Sequence, residues 1–299
     1  MRIISLVPHA TELLFALGLG DQMVAVTHEC DFPLEALALP KITRDVLPPG
    51  LSAAEIDAAV KERTQSGEAI YELDEDALAG LEPDLIVTQA LCPVCAVSYE
   101  DVLSIAERIE STPKVLALDP RTFGETIGDI RTVAAATGAK EAAFLLVATT
   151  ARRVDRVKGA IRDLDRPRVA ALEWLDPVFV AGHWTPQLIE MAGGEDALGL
   201  TGEHSEQMAW EDVVAARPDV VVVMPCGYDL ERSHEEAMRH ADRLAEIGAR
   251  RVVAVDAAGT FSRPGPRLVD ALELMAHILH PGAVPEAPSV ARDVELVRA

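Results

Sequence analysis

Four cysteines offer the most chemistry in this 299-residue chain, and each follows a run of mainly apolar residues. Cys30 comes after Met23 to Thr27, Cys92 and Cys95 after Asp84 to Thr88, and Cys226 after Asp219 to Met224. Cys92-Pro-Val-Cys95 has the two-residue spacing that lets both sulfurs reach one metal or each other. Four thiolates saturate a zinc ion or an iron–sulfur cluster, so Cys30, Cys92, Cys95 and Cys226 make a complete candidate donor set. The plainer alternative is a set of small buried hydrophobes. A redox pair is a further alternative, and it would have to open a helix within a thioredoxin-type βαβ pattern.

His9, His28 and His183 stand at or near predicted strand ends, in Val-Pro-His-Ala, Thr-His-Glu-Cys and Ala-Gly-His-Trp. A neutral imidazole can coordinate cobalt, iron or zinc there, or it can simply hydrogen-bond and cap a helix. Gly182-His183-Trp184 is the richest of the three: a glycine admits close approach, and Trp184 offers a flat apolar face for a large planar ligand. Trp174 and Tyr228 would extend that platform, or Trp174 fills the core. Enzyme readings are weak. Gly18 to Gly20 follows a predicted helix and reads as its stop, a Gly-x-Ser-x-Gly elbow is absent, and nothing in the spacing of Glu173 and Asp176 demands acid–base work.

The elements that must position these residues alternate strand and helix, which predicts an α/β fold. Strands are expected at Arg2 to Val7, Met23 to Thr27, Asp84 to Thr88, Lys114 to Leu118, Arg168 to Leu172, Asp219 to Met224 and Arg251 to Val255. Helices are expected at Thr11 to Gly18, from Ser52, and at Tyr99 to Glu110, Thr185 to Ala192, Leu230 to Ile247 and Pro266 to Leu279. Ser52-Ala-Ala-Glu55 has the form of a capping box. The proline-free, alanine-rich stretch over 121–163 predicts one long rigid helix joining two lobes, 1–120 and 164–299, with any break falling near Gly138. Leu81 to Cys92 and Ala216 to Cys226 echo each other, each with a Pro-Asp entry, an apolar strand and a cysteine beyond it. Such entries are common in α/β proteins, so the echo reads either as that commonplace or as a duplicated unit. The tail after His280 reads as a surface strap.

Composition narrows the function. A formal charge of -22 repels nucleic acid, so no nucleic-acid partner is expected. No apolar run approaches the ~20 residues needed to span a bilayer, so no membrane insertion is expected. Met1 to His9 lacks the form of a secretory signal, which makes the cytoplasm the expected location unless the start is misassigned. Four cysteines fit a reducing compartment.

Ser5-Leu-Val-Pro-His-Ala-Thr-Glu-Leu-Leu-Phe-Ala-Leu-Gly18, the Pro-Asp strand entry at Leu81 to Asp84, and Phe261 to Asp270 together resemble the periplasmic-binding proteins that capture vitamin B12, haem and ferric siderophores. Glu173 to Trp184 is similar to the cobalamin-binding branch. The resemblance spans nearly the whole chain. It implies two Rossmann-like lobes joined by a single long helix, the class III periplasmic-binding-protein type, with a monomer that binds cobalamin or a related metal chelate in the cleft between lobes and does no catalysis. By position it implies ligand-binding roles for Pro8, His9, Thr11, His28, Gly182, His183, Trp184 and Tyr228. It also implies docking on an ABC permease through Asp76 and Glu211, where the chain is exported. Four cleft-side cysteines are foreign to that pattern. They keep open the alternative of a cytoplasmic metalloprotein holding zinc or an iron–sulfur centre.

Overall fold

The computed structural model describes residues 1–48, 50–66, 69–90, 97–284 and 290–296 of the chain. It divides into two compact units, one of residues 1–120 with 127–147 and the other of 121–126 with 148–299. Among the described residues no helix is long and apolar enough to cross a membrane.

The N-terminal part runs β1 (Ile3–Ser5), α1 (Pro8–Ala16), β2 (Met23–Ala25), β3 (Thr43–Asp45), α2 (Ala53–Ser66), β4 (Tyr71–Leu73), α3 (Glu75–Gly80), β5 (Leu85–Thr88), α4 (Tyr99–Ala106) and β6 (Lys114–Ala117). Four parallel strands form its sheet in the order β2-β1-β5-β6, and β3 and β4 make a separate antiparallel pair. Side chains alternate across a strand, so Ile3, Leu85 and Val87 join one buried cluster with Leu13, Leu14 and Val133, while Ile4 and Ile86 join another with Leu78, Val102 and Ile105. Burial on both faces explains why these strands read as unbroken apolar runs. Pro8 opens α1 at its first position, where the missing N–H costs nothing, and Gly18 at φ 73 closes it. The expected capping box is present: the Ser52 N–H and hydroxyl both donate to Glu55 Oε2, at 2.8 and 2.7 Å.

The stretch expected as one spacer helix is two, α5 (Phe123–Thr137) and α6 (Lys140–Ile161). Gly138 adopts φ 81 and its N–H donates to the Ala134 carbonyl at 2.9 Å, a left-handed stop that only glycine enters without steric cost.

The C-terminal part continues β7 (Arg168–Leu175), β8 (Val178–Val180), α7 (Thr185–Met191), β9 (Glu195–Asp196), β10 (Glu206–Gln207), α8 (Trp210–Ala215), β11 (Val220–Val223), α9 (Leu230–Arg239), α10 (Ala241–Glu246), β12 (Arg251–Val255), α11 (Ala257–Thr260), α12 (Leu268–Leu279) and β13 (Ala291–Asp293). Its sheet has the order β10-β8-β7-β11-β12-β13, with β9 also on β7. The centre, β7-β11-β12, is parallel; β8, β10 and β13 add antiparallel edges. The tail is thus more than a strap, since β13 pairs with β12 and Arg292 bridges to Glu231 at 2.9 Å. The helix expected over Leu230 to Ile247 breaks at His240 into α9 and α10.

Each Pro-Asp entry builds the same brace. The Asp84 carboxylate accepts the Arg2 backbone N–H at 2.7 Å, and the Asp219 carboxylate accepts that of Arg168 at 2.9 Å. The two arginines reach back to the carbonyls of Leu81 and Ala216. Glu82 and Arg217, in matching places, both adopt φ near 45°, at 43° and 46°. Shared hydrogen bonds and shared backbone strain go beyond a common dipeptide and mark the echo as one structural device used twice.

Candidate functional site

β7 and β8 fall out of register between Leu172 and Trp174, which leaves Glu173 as the unpaired residue of a bulge. The hairpin then delivers Gly182 and His183 just past the end of β8. A Cβ on Gly182 would lie 2.5 Å from backbone atoms of Glu203, His204 and Ser205. The close approach that this glycine permits is therefore to the chain's own 203–205 segment. That segment braces His183, which sits in the left-handed region at φ 51: its N–H donates to the Glu203 carbonyl at 2.6 Å, and its carbonyl accepts the Gly202 N–H at 2.9 Å.

The rings of His183 and His204 meet nearly at right angles, with Nε2 of the first 3.2 Å from Nδ1 of the second. One nitrogen of this pair must hold the proton, so each tautomer fixes the other. Burial, His204 and Arg121 all hold His183 below the ordinary histidine range, which leaves a neutral imidazole at pH 7. Ser205 links this pair to the bulge: its hydroxyl oxygen accepts the Gly182 N–H at 3.2 Å and it hydrogen-bonds the Glu173 side chain. Burial pushes the Glu173 carboxyl up to about 7, against the opposing pull of that hydroxyl. The arrangement can present a nitrogen donor to a metal, and a carboxyl group able to donate or accept.

The aromatic platform is different from the one expected. Trp184 is buried at 9% exposure and its indole N–H donates to the Phe261 carbonyl at 2.8 Å, so it packs as core. Tyr228 is buried too, with the Arg232 guanidinium 3.7 Å above its ring and donating to its hydroxyl at 3.1 Å. A ligand cannot stack on a face that arginine already covers. Trp174, half-buried and edge-on to Tyr228 at 5.6 Å, is the aromatic that keeps some exposure beside Glu173.

In the N-terminal unit the expected binding residues turn largely inward. Thr11 is fully buried, its hydroxyl donating to Ser5 Oγ at 2.8 Å and lying 3.0 Å from the Cys30 sulfur, so it ties β1, α1 and the loop after β2 together. His9 is buried and Pro8 half-buried in the first turn of α1. His28 is half-buried, its Nδ1 2.8 Å from the Thr43 hydroxyl and its ring tilted against Tyr71 at 5.2 Å.

The described residues give the proposed thiolate cluster no support. Cys30 is 1% exposed, its sulfur held by the Thr11 and Thr27 hydroxyls, and burial raises its thiol above the ordinary range. Cys226 is exposed just beyond β11, and Cys92 and Cys95 lie outside the described residues. Among the described residues no group of three or more His, Cys, Asp or Glu side chains is placed to hold a metal ion. Asp76 and Glu211 are both exposed, each in the first turn of the short helix ahead of a Pro-Asp strand, α3 and α8.

His204 and Ser205 were not singled out in the sequence. They reach His183 because β10 pairs with β8, and two polar residues in a loop carry no periodic signal of such a partner.

A profile of the family described as periplasmic binding protein matches residues 3–256. A vitamin B12-binding protein of Vibrio cholerae is 25% identical over 284 residues, covering 91% of this chain and 86% of its own length. An uncharacterised ABC transporter substrate-binding lipoprotein of Bacillus subtilis is 23% identical, covering 95% of this chain and 82% of its own. Among solved structures, a periplasmic haem-binding protein from Pseudomonas aeruginosa shares the fold with a TM-score of 0.73 at 17% identity, covering 100% of this chain and 99% of that one.

Proposed function

This chain belongs to the periplasmic binding protein family, a family of binding proteins and not of enzymes, and from that premise we propose that it binds a cobalamin-type corrinoid, reversibly and without turnover. The observation that carries the reading is the geometry of the His183 imidazole, held by its braced loop and by His204 just past β8. A metal chelate brings a centre that takes a nitrogen donor. The likeness to the B12-binding protein of Vibrio cholerae over most of both chains supports the corrinoid within the broader class of metal chelates. Asp76 and Glu211, exposed ahead of β5 and β11, are then the contacts offered to an ABC permease.

Calorimetric titration with hydroxocobalamin tests the reading. A dissociation constant of about 1 µM or tighter is expected, corresponding to about -8 kcal/mol. His183→Asn, which tolerates the left-handed backbone, is expected to weaken binding roughly tenfold, about 1.4 kcal/mol. No heat with the unaltered protein overturns the proposal.

A further inference from the structure

Glu173 is a half-buried carboxyl to which the proposed function assigns no role. A bulge re-aims its extra residue, and here that residue stands at the carboxyl end of β7, one hydroxyl away from the His183 loop. The elements packed around it bring little charge. Val178–Val180 and Val220–Val223 carry none; Glu190 of α7 is paired with Arg166; Glu195 and Asp196 of β9 lie in register with Arg168 and Val169 at the far end of β7. His183, Glu203 and His204 stand on the loops beside Ser205; burial raises the carboxyl's ionisation and the Ser205 hydroxyl opposes that rise. Around neutral pH the group therefore exists both as a hydrogen-bond donor and as an acceptor.

A carboxamide answers both states, since its oxygen accepts from the acid and its N–H donates to the carboxylate. A ligand carboxylate only accepts. Once Glu173 ionises, two anions share a dehydrated site and one must take up a proton or leave. Resting on the corrinoid reading, we infer that Glu173 is a specificity-determining residue that selects a carboxamide-edged chelate over a carboxylate-edged one.

The test compares hydroxocobalamin, edged with carboxamides, with hemin, which carries two carboxylates, by tryptophan-fluorescence titration between pH 6 and 8.5. In the unaltered protein the ratio of hemin to cobalamin dissociation constants is expected to rise roughly tenfold per pH unit above neutrality, as one proton per binding event requires. Glu173→Gln should flatten that rise and, at pH 8.5, lower the ratio roughly tenfold or more. Ser205→Ala removes the hydroxyl that favours the ionised carboxyl, so its rise should begin at higher pH; this second variant keeps the test open if the first folds poorly. A ratio independent of pH, a rise unchanged in Glu173→Gln, or hemin excluded equally by both forms overturns the inference while cobalamin binding leaves the proposed function standing. Failure of the unaltered protein to bind cobalamin removes that reading and the inference with it.

Discussion

The two units begin their sheets with the same device and finish them differently. Asp84 and Asp219 each receive the backbone N–H of the first strand's arginine, and Glu82 and Arg217 bend the chain alike just ahead of them. Beyond the strands the N-terminal unit folds its polar candidates into the core, with Thr11, Thr27 and Cys30 satisfying one another. The C-terminal unit keeps Glu173, His183 and Ser205 half-buried and linked, with His204 exposed beside them. The difference comes from edges. A bulged hairpin and the short β10 bring a second polar segment against the end of β7–β8, whereas α1 covers the end of β1 with leucines.

The sharpest way to break this contrast is at glycine. Gly182→Ala places a Cβ 2.5 Å from three backbone atoms and is expected to lower stability by about 3 kcal/mol or more, with loss of the ligand site. Gly18→Ala, where only the positive φ is strained and nothing lies within 4 Å, should cost about 1–2 kcal/mol; urea denaturation of both variants measures the gap.

Next comes the carboxyl at the bulge. A carboxyl whose folded pKa lies above its unfolded one keeps its proton in the folded state after the unfolded chain has lost it, so stability falls as pH rises. For Glu173 that window runs from about 4.5 to about 7. Glu173→Gln should be more stable than the unaltered protein at pH 8 by on the order of 2 kcal/mol, and the difference should shrink toward pH 4.5; denaturation midpoints across that range check it. A constant difference would remove Glu173 as the source.

The shared brace predicts a smaller, graded effect. Asp219→Ala, at a half-buried position that also pairs with Arg250 at 3.0 Å, is expected to cost about 2 kcal/mol, and exposed Asp84→Ala about 1 kcal/mol. Equal losses would mean that exposure does not grade the two braces. Smallest in energy is the thiol contrast. In a Cys92→Ser/Cys95→Ser background, Cys226 should react with a thiol reagent in the folded protein within minutes, while Cys30 should wait for unfolding.

Much of the fold was legible in the residues. Val220 to Val223 and Val252 to Val255 could be read as strands because a strand buried on both faces has nothing but apolar side chains to show. β8 escaped notice because three residues in a hairpin are too few for a period, and β10, Glu206–Gln207, is polar throughout. The site was half legible. Gly182 and His183 stood out by type, but the reason for the glycine, the approach of 203–205, is a contact between segments some twenty residues apart. Trp184 and Tyr228 looked like exposed platforms because sequence shows a ring and not its surroundings; Trp184 is buried with its N–H tied to the Phe261 carbonyl, and Arg232 covers Tyr228.

By itself the sequence determined the long apolar strand runs, the Ser52 capping box, the Gly18 stop and the presence of two Pro-Asp entries, all of which depend on residues close along the chain or on burial of a whole element. Only the tertiary structure decided that Cys30 is a shielded thiol, that Trp184 is core, and that Glu173, Ser205, His183 and His204 form one linked group. A side chain's ionisation and exposure are set by the segments that fold against it, and no local pattern of residue types specifies those.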